Sequence, residues 1–110
     1  MSATAPLHSV QPQSALFESI LELIRRTSTQ LPQDVVRAVT GARAHEEKGS
    51  NADVALDVIG CNIVLARDNS LPLCQDTGTI LFYVHTPVGY DQIEFEEVAT
   101  EAVRAATKKG

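Results

Sequence analysis

The residues richest in chemistry stand side by side in this sequence: Cys74, Gln75, Asp76, Thr77, Gly78 and Thr79. A thiol gives a thiolate, which is a nucleophile or a soft metal ligand. An amide donates hydrogen bonds to a carboxylate, and a neighbouring carboxyl can carry a proton. The same residues also suit an ordinary connection. In that reading Asp76 and Thr77 tie a turn through side-chain to backbone bonds, and Cys74 is a small buried hydrophobe. Spacing alone does not choose, because one Cys at this place makes no ligand pair such as Cys-x-x-Cys.

The flanking sequence says what must position these groups. Pro72 fixes its own φ and pushes Leu71 away from the helical region, so no helix runs through the stretch. Gly78 permits a turn or a close backbone approach. Thr79 to Thr86 contains Ile80-Leu81-Phe82-Tyr83-Val84, a run of strand formers whose near-continuous apolar character predicts a strand buried on both faces. Cys74, Gln75 and Asp76 are therefore expected on a short loop between a helix and a strand, where rigid flanks place a site well.

Three helices are expected before that loop. Ser14 to about Thr27 carries Leu16, Ile20, Leu23 and Ile24 on one face, widened by Phe17 and Leu21, with Arg25 and Arg26 as a solvated end. Pro32 opens the second, which buries Val35, Val36, Val39 and Ala42, and Gly41 there suggests close packing. Ser50 is an N-cap for the third, with Asp53 in a near-capping-box position. That helix, ending near Arg67, is apolar around so much of its circumference that it reads as buried, with Cys61 packed on its core line. A last helix begins near Ile93 or Phe95 and carries Val98, Ala99, Ala102, Val103 and Ala106. His45, among charged neighbours at a helix end, reads as a surface or capping residue, and His85 has no evident partner in the sequence. The expected fold is thus α+β and mostly helical: three helices, the loop, one strand and a helix, forming an incomplete part of a larger domain.

Bulk properties narrow the function classes. The chain has 110 residues and a formal net charge of −5. No basic stripe is present, which argues against nucleic acid. No apolar run approaches the roughly 20 residues of a membrane span. Residues 1–12 lack the basic and apolar regions of a secretory signal and read as a disordered extension. Two cysteines without a disulfide framework fit a reducing cytoplasm.

The stretch Pro72-Leu73-Cys74-Gln75-Asp76-Thr77-Gly78-Thr79, followed by Phe82-Tyr83-Val84, resembles the signature of the iron–sulfur (class I) fumarase and L-tartrate dehydratase family. Leu31-Pro32-Gln33-Asp34-Val35 and the stretch with Glu47, Ala52, Ala55, Leu56, Asn62 and Ala66 resemble the same pattern upstream, so the likeness runs over roughly residues 14 to 110. The resemblance implies a hydro-lyase that interconverts fumarate and L-malate, a step of the tricarboxylic acid cycle, at a [4Fe–4S] cluster with an open Lewis-acid iron. Cys74 would be a cluster ligand. Gln75 would bind a substrate carboxylate, and Asp76 would bind substrate and join the proton transfer.

On that reading residues 13–110 are the N-terminal portion of an alpha-type catalytic domain, truncated here. The remaining ligands and basic residues would come from segments absent here, the expected partners are a beta-type subunit or C-terminal domain in an oligomer, and this chain alone would be inactive. The alternatives are an L-tartrate or other hydroxy-diacid dehydratase alpha subunit, or a non-catalytic helical interaction module.

Overall fold

The computed structural model describes residues 14–74 and 78–109. Four helices make up its regular structure: α1 (Ala15–Thr29), α2 (Gln33–Ala44), α3 (Asn51–Asn69) and α4 (Gln92–Lys109). The chain divides into two compact units, one from Met1–Ile24 with Gly78–Gly110 and the other Arg25–Thr77.

The first unit is built on the early turns of α1 and on α4. Ser14 starts α1, its hydroxyl accepting from the Phe17 N–H at 3.1 Å. Asp91 does the same for α4, its carboxylate accepting from the Glu94 N–H at 3.0 Å. Each cap satisfies a donor that the helix leaves without a partner. Phe17 and Ile20 of α1 and Val98, Ala99 and Ala102 of α4 form one buried apolar cluster. Ala102 is fully buried, and its single methyl leaves room for the larger side chains beside it. Leu16, Leu21 and Ile24 pack partly against the cluster. Leu23, expected on that face, is instead 56 % exposed.

The expected strand at Thr79–Thr86 is absent: among the described residues there is no strand. A strand is completed by a neighbour's ladder hydrogen bonds, and no second strand exists among the described residues to supply them. The fold among these residues is mostly helical, and the α+β expectation is corrected accordingly. The expected burial on both faces fails with it. Leu81 and Tyr83 are 67 % and 89 % exposed. Phe82 alone of Ile80–Val84 is half-buried; its ring meets Phe95 edge-on, with centroids 6.3 Å apart and planes at 81°.

In the second unit α2 packs beside α3. Pro32 precedes the first helical residue with φ −58° and ψ 150°. His45 closes the helix, as expected of a capping residue, and its Nδ1 lies 2.7 Å from the Gly41 carbonyl. A carbonyl only accepts, so Nδ1 carries the hydrogen. Val36 and Val39 are half-buried, whereas Val35 and Ala42 are exposed, and Gly41 has nothing within 4 Å of where a side chain would begin. The close packing expected there is not found.

Ser50 caps α3, its hydroxyl accepting from the Asp53 N–H at 3.2 Å. Asp53 answers by accepting from the Gly49 N–H at 3.0 Å, and Arg43 of α2 reaches both Asp53 (3.0 Å) and Asp57 (2.6 Å) one turn further on. The Gly49 N–H first, and then Arg43, hold the Asp53 carboxyl below its ordinary value of 3.8. Because the folded value is depressed, this contribution to stability is fully present above that ordinary value. It is lost as pH falls through the depressed one. Acid titration of the wild type against Asp53→Asn is expected to show the wild type losing stability below about pH 4, in the range of an ordinary Asp. The variant should lack that component. Parallel acid limbs would remove the role given to Asp53.

α3 is less buried than its composition suggests. Ile63 and Ala66 are its buried residues, while Val54, Val58, Ile59, Val64 and Leu65 are exposed. Cys61 is exposed as well, which corrects its expected place in a core. An all-round apolar helix is buried only when packed from several sides, and among the described residues of this unit α2 is the helix that packs on it.

Candidate functional site

The loop that carries Cys74 is assembled from three directions. α3 ends at Ser70, which adopts a left-handed conformation at φ 51° and ψ 45°. The N–H groups of Ser70 and Leu71 both donate to the Ala66 carbonyl, the latter at 2.9 Å. Both bonds converge on this one carbonyl near the helix end, and the chain turns sharply there. Glycine tolerates that backbone better than serine, which has a Cβ to accommodate. Ser70→Gly is therefore expected to raise stability by up to about 1 kcal/mol, read as a higher urea midpoint. A lower midpoint would show that the Ser70 hydroxyl, 3.4 Å from the Arg25 guanidinium, matters more than the backbone.

After Leu71 and Pro72 the chain is pinned at Leu73. Its N–H donates to the Ser28 carbonyl in the last turn of α1 at 2.9 Å. Its own carbonyl accepts from the Asn62 amide of α3, also at 2.9 Å. Ser28 lies in the last turn of α1, where carbonyls have no partner within the helix, so the loop supplies that partner. The next residue is Cys74, a free and exposed thiol. Thr29, buried beside this junction in sequence, satisfies its hydroxyl by donating to the Arg25 carbonyl at 2.8 Å.

The sequence-derived site residues divide accordingly. Cys74 stands on the expected loop, presented to solvent rather than packed as a small hydrophobe. Gln75, Asp76 and Thr77 lie outside the described residues. His45 is the helix cap described above, and His85 is exposed. Among the described residues no group of three or more His, Cys, Asp or Glu side chains is placed to hold a metal ion. What the described residues offer there is one soft donor, the exposed and unbridged Cys74 thiol on its anchored loop. The sequence places Asn62 in the family-like stretch without giving it a role, and it does not single out Ser28. A lone amide inside the apolar run Cys61–Leu65 was a usable signal for Asn62, but a backbone carbonyl carries none.

Comparison with known proteins adds what the geometry lacks. The profile of the family described as fumarate hydratase (fumerase) matches residues 17–110. The chain belongs to that family. Its similarity to individual family proteins is graded. A Geobacillus stearothermophilus protein that bears the name fumarate hydratase class I is 44 % identical over 95 residues, covering 86 % of this chain and 18 % of that protein. The L(+)-tartrate dehydratase subunit alpha of Escherichia coli strain K12 is 29 % identical over 100 residues, covering 90 % of this chain and 33 % of that subunit. The chain thus spans about a fifth and a third of these relatives' lengths. No solved structure matches it. No described helix is long and apolar enough to cross a membrane.

Proposed function

We propose that this chain is the amino-terminal part, residues 13–110, of the catalytic portion of an iron–sulfur hydro-lyase. The favoured reaction is reversible addition of water to fumarate, giving L-malate. One carbon of the double bond gains hydroxyl and the other gains hydrogen, with no net redox change. The observation that carries this reading is the family match over residues 17–110, which includes the anchored Cys74 loop.

In this reading Cys74 contributes one thiolate to a [4Fe–4S] cluster. Such a cluster, when bound, supplies an open iron as a Lewis acid for a substrate oxygen. Gln75 donates its amide hydrogens to a substrate carboxylate, a role that suits a neutral donor. Asp76 takes part in proton transfer at the reacting carbon or orients the group that does so. The other ligands and the cations that neutralise a dicarboxylate come from segments outside these residues, and a beta-type subunit or a C-terminal domain is the expected partner.

A second reading follows from the tartrate dehydratase alpha subunit, which this chain resembles at 29 % identity. There the substrate is a hydroxy-diacid that loses water.

The test is anaerobic purification from the source cells. Iron and sulfide are then determined, and water addition to fumarate and water loss from L-malate and L-tartrate are assayed. Activity on the fumarate–malate pair supports the first reading, and activity confined to tartrate supports the second. A folded protein that takes up no iron or sulfide and acts on none of these substrates would leave a non-catalytic helical interaction module.

A further inference from the structure

We infer that Asn62 is a positioning residue for the Cys74 thiol. This rests on the reading of Cys74 as a cluster ligand. Asn62 is an exposed side chain on α3, yet its Nδ2 is committed to the Leu73 carbonyl at 2.9 Å. The peptide whose carbonyl it holds is the one that joins Leu73 to Cys74. On its other side Leu73 donates its N–H to Ser28 at 2.9 Å. The two bonds fasten Leu73 to α3 and to the end of α1, and so hold the Leu73–Cys74 peptide and with it the Cα of Cys74. Pro72, with a fixed φ and no N–H, removes further freedom just upstream. A group that must meet a rigid inorganic partner gains from such preorganisation, since a loose ligand has to be ordered when it binds.

The chemistry is specific to an amide. The Leu73 carbonyl can only accept, so the facing atom must donate. Asn62→Asp keeps shape and volume but sets a carboxylate oxygen against the carbonyl oxygen. Asn62→Gln keeps the donor on a longer stem. Because Asn62 is exposed, neither change opens a cavity.

The experiment uses the natural protein with these two variants and Cys74→Ser. Amide hydrogen exchange at Leu73 is read in metal-free protein, with the Ile63 and Ala66 amides as a check on α3. Iron and sulfide are then counted after anaerobic reconstitution with ferrous iron and sulfide. Asn62→Asp is expected to speed Leu73 exchange roughly fivefold or more, the scale of one lost hydrogen bond, without changing Ile63 or Ala66. It should also lower retained iron, and Asn62→Gln should restore part of both. Unchanged Leu73 exchange in Asn62→Asp overturns the inference. So does faster exchange with iron held at the wild-type level. If Cys74→Ser itself keeps its iron, the cluster reading fails and the role given to Asn62 falls with it. If Cys74→Ser loses iron while Asn62→Asp retains it, the role of Asn62 alone fails.

Discussion

Cys74→Ser is expected to abolish retention of iron and sulfide in the natural protein, and with it any hydratase activity. The sulfur is the reason. A cluster ligand binds as a thiolate, and the metal itself stabilises that form. A serine hydroxyl is nearly isosteric but a much poorer ligand for iron–sulfur chemistry. Folding should be unaffected, because Cys74 is exposed and unbridged, and an exposed change of this size alters stability by less than about 0.5 kcal/mol. The measurement is therefore clean: iron, sulfide and visible absorption after anaerobic reconstitution, beside a thermal melt. Wild-type iron in a normally folded variant would remove Cys74 from the ligand set. Cys61→Ser serves as the comparison. It is also exposed, but it lies on α3 away from the anchored loop in sequence, and the resemblance gives it no ligand role. It should keep the cluster.

Phe17→Ala is expected to have the largest effect on stability. Phe17 is 7 % exposed and sits in the apolar cluster that joins α1 to α4. Truncating a buried Phe costs about 3–5 kcal/mol, from lost burial and from the cavity left behind. That is a large share of the roughly 5–15 kcal/mol that holds a typical domain folded. Leu23→Ala, further along the same helix, should cost less than about 0.5 kcal/mol because its side chain faces solvent. Urea titration of both variants checks the pair. Equal midpoints would mean that the α1 face is not partitioned as the structure shows.

The contrast between Phe17 and Leu23 marks the limit of periodicity as a guide. A stripe of apolar residues announces a helix, and α1, α2, α3 and α4 all lie close to where their patterns put them. Ser50, Asp53 and His45 were legible for the same reason: caps act over three or four residues, within the reach of local sequence. Which member of a stripe meets a partner is a matter of direction in space. Leu23 satisfies the period and still faces water. Cys61 and much of α3 looked like core by composition, but burial needs neighbours on several sides. The strand failed most plainly. Ile80 to Val84 has strand-forming side chains, yet a strand is a relation between two segments, and no second strand exists among the described residues.

The sequence by itself determined the helices, the capping of α3 by Ser50 and of α2 by His45, the break at Pro72 and the placing of a thiol on the loop beyond it. It also carried the resemblance that the family match bears out. All of these depend on neighbours along the chain or on residue identity. The tertiary structure decided what sequence order does not encode. It left the apolar run after the loop largely exposed, and it put Cys61 on the surface. It anchored the Cys74 loop through the carbonyl of Ser28, which precedes it by many residues, and through the amide of Asn62. Backbone carbonyls are the same in every residue, so only the folded path could show which one holds the loop.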